Sequence, residues 1–415
     1  MAGENTFSTM EQYKESYGDK LNNVVPASSI IYDECKWDEG DKTGDSFHQS
    51  VTLTNENGFT YNGSGGAVAT LKAPVQANIK DSSSTGFELI GRARISYAAA
   101  SRGATTKQAF KQAWGTVLFN LRKSSMKRQE LCLLRGQKGL GVVSAITSGV
   151  ITITDASWSP TTWAGLEGSV LEAFTTSDAT ATQHDTLLTI TAINYTNKTV
   201  TVSGTSTSVV PGDVLFFEGA KTTTGYNESA GIVKIAGNSG TLFGIDSTAA
   251  NNGLWAGNAS TSFGTPTMGR FLSAASLAVD KGLEEMLMVL VNPKSWEVLN
   301  GDLAAMRMYD GSYSKEKAEN GSQRISYYGQ MGELRLRSHP YLQRGESVMF
   351  PPSMYKRIGS ADIGMGVPGL AGDGGRDIFF HLEATNAVEA RTYSDQSLFT
   401  DGPSTSVYVS GITYP

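Results

Sequence analysis

A glycine-rich stretch, Gly136-Gln137-Lys138-Gly139-Leu140-Gly141, is the feature of this sequence nearest to a phosphate-binding loop. Backbone amides of such a loop bind phosphate when a helix begins directly after it. Here a helical pattern precedes the stretch and strand patterns follow it, which favours a helix C-cap and a linker. The signatures GxxxxGK(S/T), GxGxxG after a strand, HExxH and GxSxG do not occur. The sequence therefore predicts neither an enzyme nor a cofactor.

Other groups that could act as acids, bases or metal ligands are scattered along the chain. Glu284-Glu285 and Asp302 could pair their carboxylates for glycoside hydrolysis, but we favour a solvated helix end. Cys35 and Cys132 lack the spacing of a zinc site and are expected to be reduced thiols. The four histidines share no spacing and are expected to be structural or surface residues: His48, His184, His339 and His381. No metal site is predicted.

The strongest charge pattern is a basic segment between Phe87 and Lys138. Eleven basic residues stand there against Glu88 and Glu130, a net charge of +9, so the rest of the chain carries −15. A basic helix face is commonly just solvated, and the alternative is a surface that faces a polyanion or an acidic protein segment. The candidates for that surface are Lys107, Lys111, Arg122, Lys123, Lys127 and Arg128.

A long helix is predicted to carry these basic residues. Its apolar residues recur at i, i+4, i+7, i+8 and i+11, the spacing of one helical face. They are Phe110, Trp114, Val117, Leu118 and Leu121. Thr105 can cap the start of the helix, and Gly136 is a natural end. About 30 residues at 1.5 Å each give a length of roughly 45 Å, which suggests a spine.

Residues 1–44 have little periodicity and many charged residues. Their apolar residues near the charged run are few: Ile30, Ile31, Tyr32 and Trp37. We therefore predict an extended arm that needs a partner surface. Residues 1–5 lack a basic start followed by an apolar run, so no signal peptide is expected.

Residues 45–100 are predicted to form a narrow β tongue. Alternating apolar residues, Val51 with Leu53 and Phe59 with Tyr61, indicate half-buried strands. The polar run Asp81-Ser82-Ser83-Ser84 is predicted to be a turn within it. A ribbon of two or three strands is marginally stable alone in water, so the tongue should also lie on another surface.

Residues 141–220 differ sharply in composition from the rest. Seventeen of these 80 residues are Thr, and one basic residue stands against seven acidic ones. Short strand patterns, with a hairpin turn at 194–198, predict a small β-barrel or sandwich inserted into the main fold. After it, a helix from Pro266 to Gly282, a buried strand over 286–291 and a helix through Trp296 indicate an α/β or α+β layer. Strand patterns return towards the end of the chain.

The overall composition limits the class of protein. The 415 residues include 34 basic and 40 acidic ones, and the net charge of −6 excludes a general polycation that coats nucleic acid. The longest uniformly apolar run, over 286–291, is six residues, too short to span a bilayer. The fold class predicted is α+β.

The order of these parts resembles the major capsid proteins of tailed bacteriophages, whose Hong Kong-type shell fold is shared with encapsulins and herpesvirus floors. The resemblance covers nearly the whole chain and includes Gly58-Phe59-Thr60-Tyr61 before the glycine turn, Asn292-Pro293-Lys294-Ser295-Trp296, and Glu389-Ala390-Arg391-Thr392-Tyr393. It implies an N-arm (1–44), an E-loop and the start of the peripheral domain (45–103), and a spine helix (104–140). It further implies an inserted β domain (141–220), an axial domain (221–350) and return strands of the axial and peripheral domains (351–415).

What the resemblance implies for function is a coat protein that forms the hexamers and pentamers of an icosahedral shell around double-stranded DNA. Its partners would be other copies of itself, the packaged DNA, portal and scaffolding proteins and, as an additional partner, a decoration protein, with no membrane. It would be made in the cytoplasm of the host bacterium and reside in the virion capsid. The basic candidates would then lie on the shell interior, facing the genome or neighbouring N-arms. The alternative is a tail-associated protein that binds or depolymerises polysaccharide, but the short repeats usual in such proteins are not found.

Overall fold

The first described segment, residues 28–38, packs on its own chain. The computed structural model describes residues 28–38, 46–64, 68–97, 113–204, 206, 208–301, 324–329, 332–366, 379–381 and 386–415. The helix α1 (Ile30–Glu34) and the strand β1 (Lys36–Trp37) place Ile31 and Cys35 in the core. The prediction of an arm that needs a partner is therefore wrong for 28–38, because Ile31 and Cys35 find apolar cover within the chain. The rest of the predicted arm lies outside the described residues.

The tongue is an antiparallel pair of strands with a long exposed end. The strand β2 (Ser46–Thr54) pairs with β3 (Asn78–Thr85), and β4 (Phe87–Ser96) follows at once. The predicted turn at residues 81–84 is wrong, since these residues lie within β3, and Ser82 and Ser84 are buried. Pairing with β2 overrides the turn preference of serine, so the ribbon turns instead within 55–77.

The spine helix α2 (Ala113–Arg135) ends where the sequence predicted. The Gly136 amide donates to the Cys132 carbonyl at 2.8 Å, and the next residue, Gln137, has a φ of 67°. A side chain at Gly136 would lie 2.0 Å from the Ser229 carbonyl oxygen, so a close backbone approach requires glycine there. The predicted start, together with Lys107 and Lys111, lies outside the described residues.

Six strands between Gly141 and Phe217 close into a barrel. The strands are β5 (Gly141–Thr147), β6 (Val150–Ile153), β7 (Val170–Phe174), β8 (Gln183–Asn194), β9 (Thr199–Ser203) and β10 (Val214–Phe217). Their order around the ring is β10, β5, β6, β9, β8, β7, and β10 pairs with β7 to complete it. Closure leaves no unpaired strand edge in this ring. A short helix, α3 (Pro160–Trp163), lies in the loop after β6.

Helices and short strands follow the barrel. The predicted helix before the buried strand spans Met268–Val279, and Gly282 follows it with a φ of 95°. The predicted second helix spans Pro293–Asn300, where the Asn292 side chain accepts from the Lys294 amide. In chain order the elements are α4 (Ile232–Ala236), β11 (Thr241–Leu242), β12 (Ile245–Asp246), β13 (Asn258–Ser260), α5 (Met268–Val279), β14 (Leu287–Val291) and α6 (Pro293–Asn300).

Two sheets form the main body. The remaining strands are β15 (Arg324–Tyr328), β16 (Glu333–Ser338), β17 (Glu346–Phe350), β18 (Tyr355–Met365), β19 (Phe379–His381), β20 (Ala387–Thr400) and β21 (Val407–Ser410). One sheet has six strands in the order β13, β21, β17, β14, β16, β15. The other sheet joins β1, β18, β20 and β19, with β4 paired along β20.

The strand β14 lies at the centre of the body and is buried on both faces. Met288 and Leu290 belong to a core that also contains Leu133 of the spine helix and residues of the barrel wall. Val289 and Val291 face the opposite way, into a core with Phe271 of α5. Alternate residues of one strand thus hold two layers together. No helix among the described residues is long and apolar enough to cross a membrane.

Candidate assembly surfaces

The basic residues predicted to share one helix face are divided between solvent and interior. Arg122 is exposed and Lys123 half-buried. Lys127 is buried, where its ammonium donates to the carbonyls of Thr161 and Ala164. The Arg128 guanidinium stacks 3.1 Å above the Phe217 ring of the barrel. The prediction of an exposed basic face is therefore wrong for Lys127 and Arg128, because the barrel and the α3 loop cover that side of the helix.

Burial lowers the pKa of both covered cations. Desolvation lowers the pKa of Lys127 to about 8 and that of Arg128 to about 10. For Lys127, the nearby charge of Arg128 acts in the same direction. These two side chains fasten the spine helix to the barrel.

The other sequence candidates do not converge on one site. Glu284 and Glu285 are exposed, and Asp302 lies outside the described residues. The glycine-rich stretch is a helix end followed by β5, as predicted. Three histidines contact carboxylates in three separate places: His48 with Asp81, His184 with Asp213 and His339 with Glu130. The side chain of His381 lies outside the described part.

Glu130 of the spine helix anchors the segment 28–38. Its carboxylate is fully buried and accepts from the amides of Ile31 at 2.7 Å and Tyr32 at 3.0 Å. His339 Nε2 lies 2.9 Å from the same carboxylate and donates to it, because the Tyr341 amide donates to Nδ1. The N-terminal segment, the spine helix and the loop after β16 therefore meet at one carboxylate.

A groove of about 560 Å³ runs between β4, the spine helix and the barrel rim. Glu228 lies at its edge, where one carboxylate oxygen accepts from the Gln137 amide at 2.7 Å. Burial raises the pKa of Glu228 to about 7, although this hydrogen bond and the charges of Arg128 and Arg135 act the other way.

The end of the tongue exposes large apolar side chains. Phe59 is 69% exposed, Tyr61 is 95% exposed, and Leu71 and Val75 are also exposed. At this end the Asn57 amide donates to the Val75 carbonyl at 3.0 Å, and the Lys72 amide donates to the Thr60 hydroxyl at 2.9 Å. Clustered apolar side chains on a narrow ribbon are typical of a protein–protein contact.

Three arginines surround one buried carboxylate on the sheet of β4 and β20. Arg92 binds both oxygens of Glu389, at 2.9 and 2.7 Å, and Arg94 and Arg391 each bind one. Hydrogen bonds from Arg92, then Arg391 and Arg94, hold the pKa of Glu389 far below its usual range despite burial. Sequence reasoning missed this cluster, although the alternation of Arg92 and Arg94 on a strand places both on one face.

Comparison by sequence finds nothing: no family model and no curated protein matches the chain. Solved structures do match. A chain from the capsid asymmetric unit of cyanophage A-1(L) has a TM-score of 0.57 and 9% identity, covering 99% of this chain and all of that one. The capsid of a native GTA particle has a TM-score of 0.51 and 8% identity, covering 100% of both chains. The mature capsid of bacteriophage PhiM1 has a TM-score of 0.50 and 7% identity, covering 97% of this chain and 93% of that one.

These likenesses extend over nearly the whole chain, from the segment before the tongue to the last strand. They confirm the predicted α+β class. The chain therefore has the fold of phage capsid proteins.

Proposed function

We propose that this chain is the major capsid protein of a tailed bacteriophage, whose copies form the hexamers and pentamers of an icosahedral shell. The observation that carries the proposal is the exposed tongue, on a fold shared with capsid chains. Leaving Phe59 and Tyr61 in water is unfavourable for a monomer. A closed shell supplies every tongue with an identical neighbour to cover it.

In this proposal the shell encloses double-stranded DNA and the chain has a structural role without catalysis. Portal and scaffolding proteins act during assembly, and a decoration protein is an additional partner. Synthesis takes place in the cytoplasm of the host bacterium, and the product resides in the virion capsid. Arg122 and Lys123 are the described basic candidates left to face the genome or a neighbouring arm.

The proposed division of the chain follows the resemblance. Residues 1–44 are the arm, 45–103 the E-loop and the start of the peripheral domain, 104–140 the spine, 141–220 the inserted domain, 221–350 the axial domain and 351–415 the return strands. The closed barrel between Gly141 and Phe217 supports the boundary at 141. The packing of Ile31 and Cys35 on the body supports an arm anchored at 28–38.

The proposal is tested by expressing the full chain with its scaffolding protein. Negative-stain images and sedimentation should show closed shells or capsomer rings. A protein that stays monomeric under these conditions would contradict the proposal. Elongated trimers would favour the tail-associated alternative.

A further inference from the structure

The arginine cluster, which consists of Arg92, Arg94 and Arg391, is held in place by the atoms nearest the buried Glu389 carboxylate. Arg92 Nε and Arg391 Nε donate to one carboxylate oxygen at 2.9 and 2.6 Å, and Arg94 Nε donates to the other at 2.9 Å. The guanidinium of Arg391 also lies 5.0 Å from the centroid of the Phe380 ring. The three guanidiniums are therefore fixed relative to one another.

The outer ends of the same guanidiniums face solvent. The side chains of Arg92, Arg94 and Arg391 are between 40% and 55% exposed. A guanidinium carries several N–H donors in a fixed fork, and Glu389 takes two from Arg92 and one each from Arg94 and Arg391. Within the described part of the chain, the other donors of the cluster make no hydrogen bond. The cluster thus presents donors that are already oriented and open to a ligand.

The cluster also carries more positive charge than its own chain neutralises. Among the described residues, Glu389 is the carboxylate that binds these three guanidiniums, which leaves a local excess of two charges. Glu88 and its cross-strand neighbour Asp395 lie on the same sheet, but Glu88 is four residues from Arg92, about 13 Å along the strand. That separation exceeds the Debye length of about 8 Å at physiological salt, so these carboxylates offset little of the excess.

We infer that the arginine cluster, held in place by Glu389, binds a phosphate group with two negative charges, as in inorganic phosphate or a phosphate monoester. The two charges of such a group match the local excess. Its three outer oxygens can accept hydrogen bonds from three guanidiniums at once. A carboxylate and the phosphodiester of a DNA backbone each carry one charge, so they match the cluster less well.

The fixed guanidiniums also make binding easier. Arginine side chains normally lose conformational freedom when they bind a ligand, and this cost is smaller when the side chains are already held. The inference goes beyond the proposed shell function and does not depend on assembly, because the cluster lies within one chain.

Titration calorimetry on the unassembled full chain, at low salt and pH 8, tests the class of ligand. Inorganic phosphate or glycerol 3-phosphate should bind about tenfold more tightly than dimethyl phosphate and acetate, which carry one charge each. Preference for inorganic phosphate alone would identify the free ion as the ligand, and preference for both would identify a terminal phosphate group. Equal binding of all four compounds, or no binding, would overturn the inference.

Substitutions of single arginines test the site. Arg94→Gln removes one exposed guanidinium and should weaken phosphate binding about tenfold, and Arg391→Gln should do the same. Arg94→Lys keeps the charge but loses the fork of donors, so it should also weaken binding. The matched control is Arg335→Gln, because Arg335 is a partly exposed arginine that binds one carboxylate, Glu333, without excess charge. Weakening by the control equal to that by Arg94→Gln would contradict a specific site.

Glu389→Gln distinguishes an organised site from a patch of positive charge. This variant raises the local excess from two charges to three, but an amide offers one acceptor oxygen where the carboxylate offers two. Phosphate should bind about tenfold more weakly because the guanidiniums are no longer held together. Equal or tighter binding by a folded variant, checked by circular dichroism, would overturn the inference. Should this variant not fold, Arg94→Gln decides alone, since Arg94 is exposed.

These outcomes are separate from those that test the proposed function. A chain that forms shells but binds phosphate no better than dimethyl phosphate would overturn the phosphate site and leave the shell intact. Preferential phosphate binding by a chain that stays monomeric with its scaffolding protein would support the phosphate site and contradict the shell.

Discussion

Glu130 is the residue on which the placement of the N-terminal segment depends. Gln at this position keeps the size of the side chain but turns an acceptor into an amide donor facing the buried Tyr32 or Ile31 amide. Leaving a buried donor unpaired costs about 1–3 kcal/mol. Glu130→Gln should therefore release residues 28–38, which hydrogen exchange at Ile31 and Tyr32 would detect as faster exchange.

A matched control is Glu34→Gln, in the same segment. Glu34 pairs with Arg337 at 2.8 Å, and both side chains are about one-third exposed. Partly exposed ion pairs contribute about 0–1 kcal/mol, so this variant should leave the exchange nearly unchanged. Equal exchange in both variants would mean that Glu130 does not hold the segment.

Glu228 should make stability depend on pH. Its pKa is about 7 in the folded chain and about 4.3 in an unfolded one, so the folded state binds more protons between these values. Stability contributed by this group is therefore lost as the pH rises from about 4.3 to 7. Glu228→Gln should be more stable than wild type at pH 8, by at most about 4 kcal/mol, and equal to it near pH 4. Denaturation at the two pH values measures this, and an equal difference at both would contradict it.

The roles of these residues could not be predicted from sequence, because their partners are remote. The amide of Tyr32 lies 98 positions from Glu130, and His339 lies 209 positions away. The sequence identifies the basic residues of the spine helix but does not show which of them are exposed. Which of them meet solvent depends on the barrel, whose Phe217 covers Arg128.

At the scale of elements, the loop before β7 ties the barrel to the body. Trp158 and Trp163 are fully buried and stack with ring centroids 6.3 Å apart, and the Thr162 hydroxyl donates to the Tyr341 carbonyl. Trp163→Ala should cost about 3–5 kcal/mol of unfolding free energy, as for other large buried aromatics. Tyr195→Ala, at a half-exposed position of the barrel, should cost far less.

Denaturant unfolding followed by circular dichroism compares these two variants. If they lose similar stability, the loop is not an anchor and the barrel is held by its other contacts. Trp163→Phe is a milder substitution, because the indole N–H of Trp163 finds no partner within the described residues. It should fall between wild type and the alanine variant.

Regular elements with a clear period were predictable, and elements set by tertiary pairing were not. The helix Met268–Val279 and the strand Leu287–Val291 lie where their apolar patterns indicated. The serines of β3 favour a turn locally, but pairing with β2 and contact with Ser397 place them in a strand. The local sequence around these serines does not contain the partner strand, which lies elsewhere in the chain, so the local pattern alone predicted a turn.

For the whole molecule, the order of parts was more informative than any motif. No family model matches, and the solved capsid chains share 7–9% identity with this chain. The fold was nevertheless predicted from the order of its parts along the chain, which is an arm, a tongue, a spine helix and an α+β body. Fold can persist when sequence does not, because burial patterns and element lengths tolerate many substitutions. The order of the parts could not predict which surfaces remain exposed to solvent, because exposure depends on every contact in the folded chain.

The basic residues of the spine helix that the barrel leaves uncovered lead to a prediction for the assembled particle. Arg122 and Lys123 are the described members of the candidate set that are not covered by the barrel. Residues 33–45 of the arm carry six acidic and two basic residues, a net charge of −4. If Arg122 and Lys123 face this part of an arm or the genome, changing both to Glu turns a local charge of +2 into −2 in every copy. Each exposed pair contributes about 0–1 kcal/mol and is screened by salt, so the effect should come from many copies together.

For the variant with both residues changed to Glu, we expect assembly that is sensitive to salt, or less DNA per particle. Lys294→Glu, an exposed reversal on α6, changes a local charge of +1 to −1 and should have neither effect. Sedimentation across a salt series and the ratio of absorbance at 260 and 280 nm measure both quantities; normal yield and normal DNA content would mean that this helix surface is merely solvated.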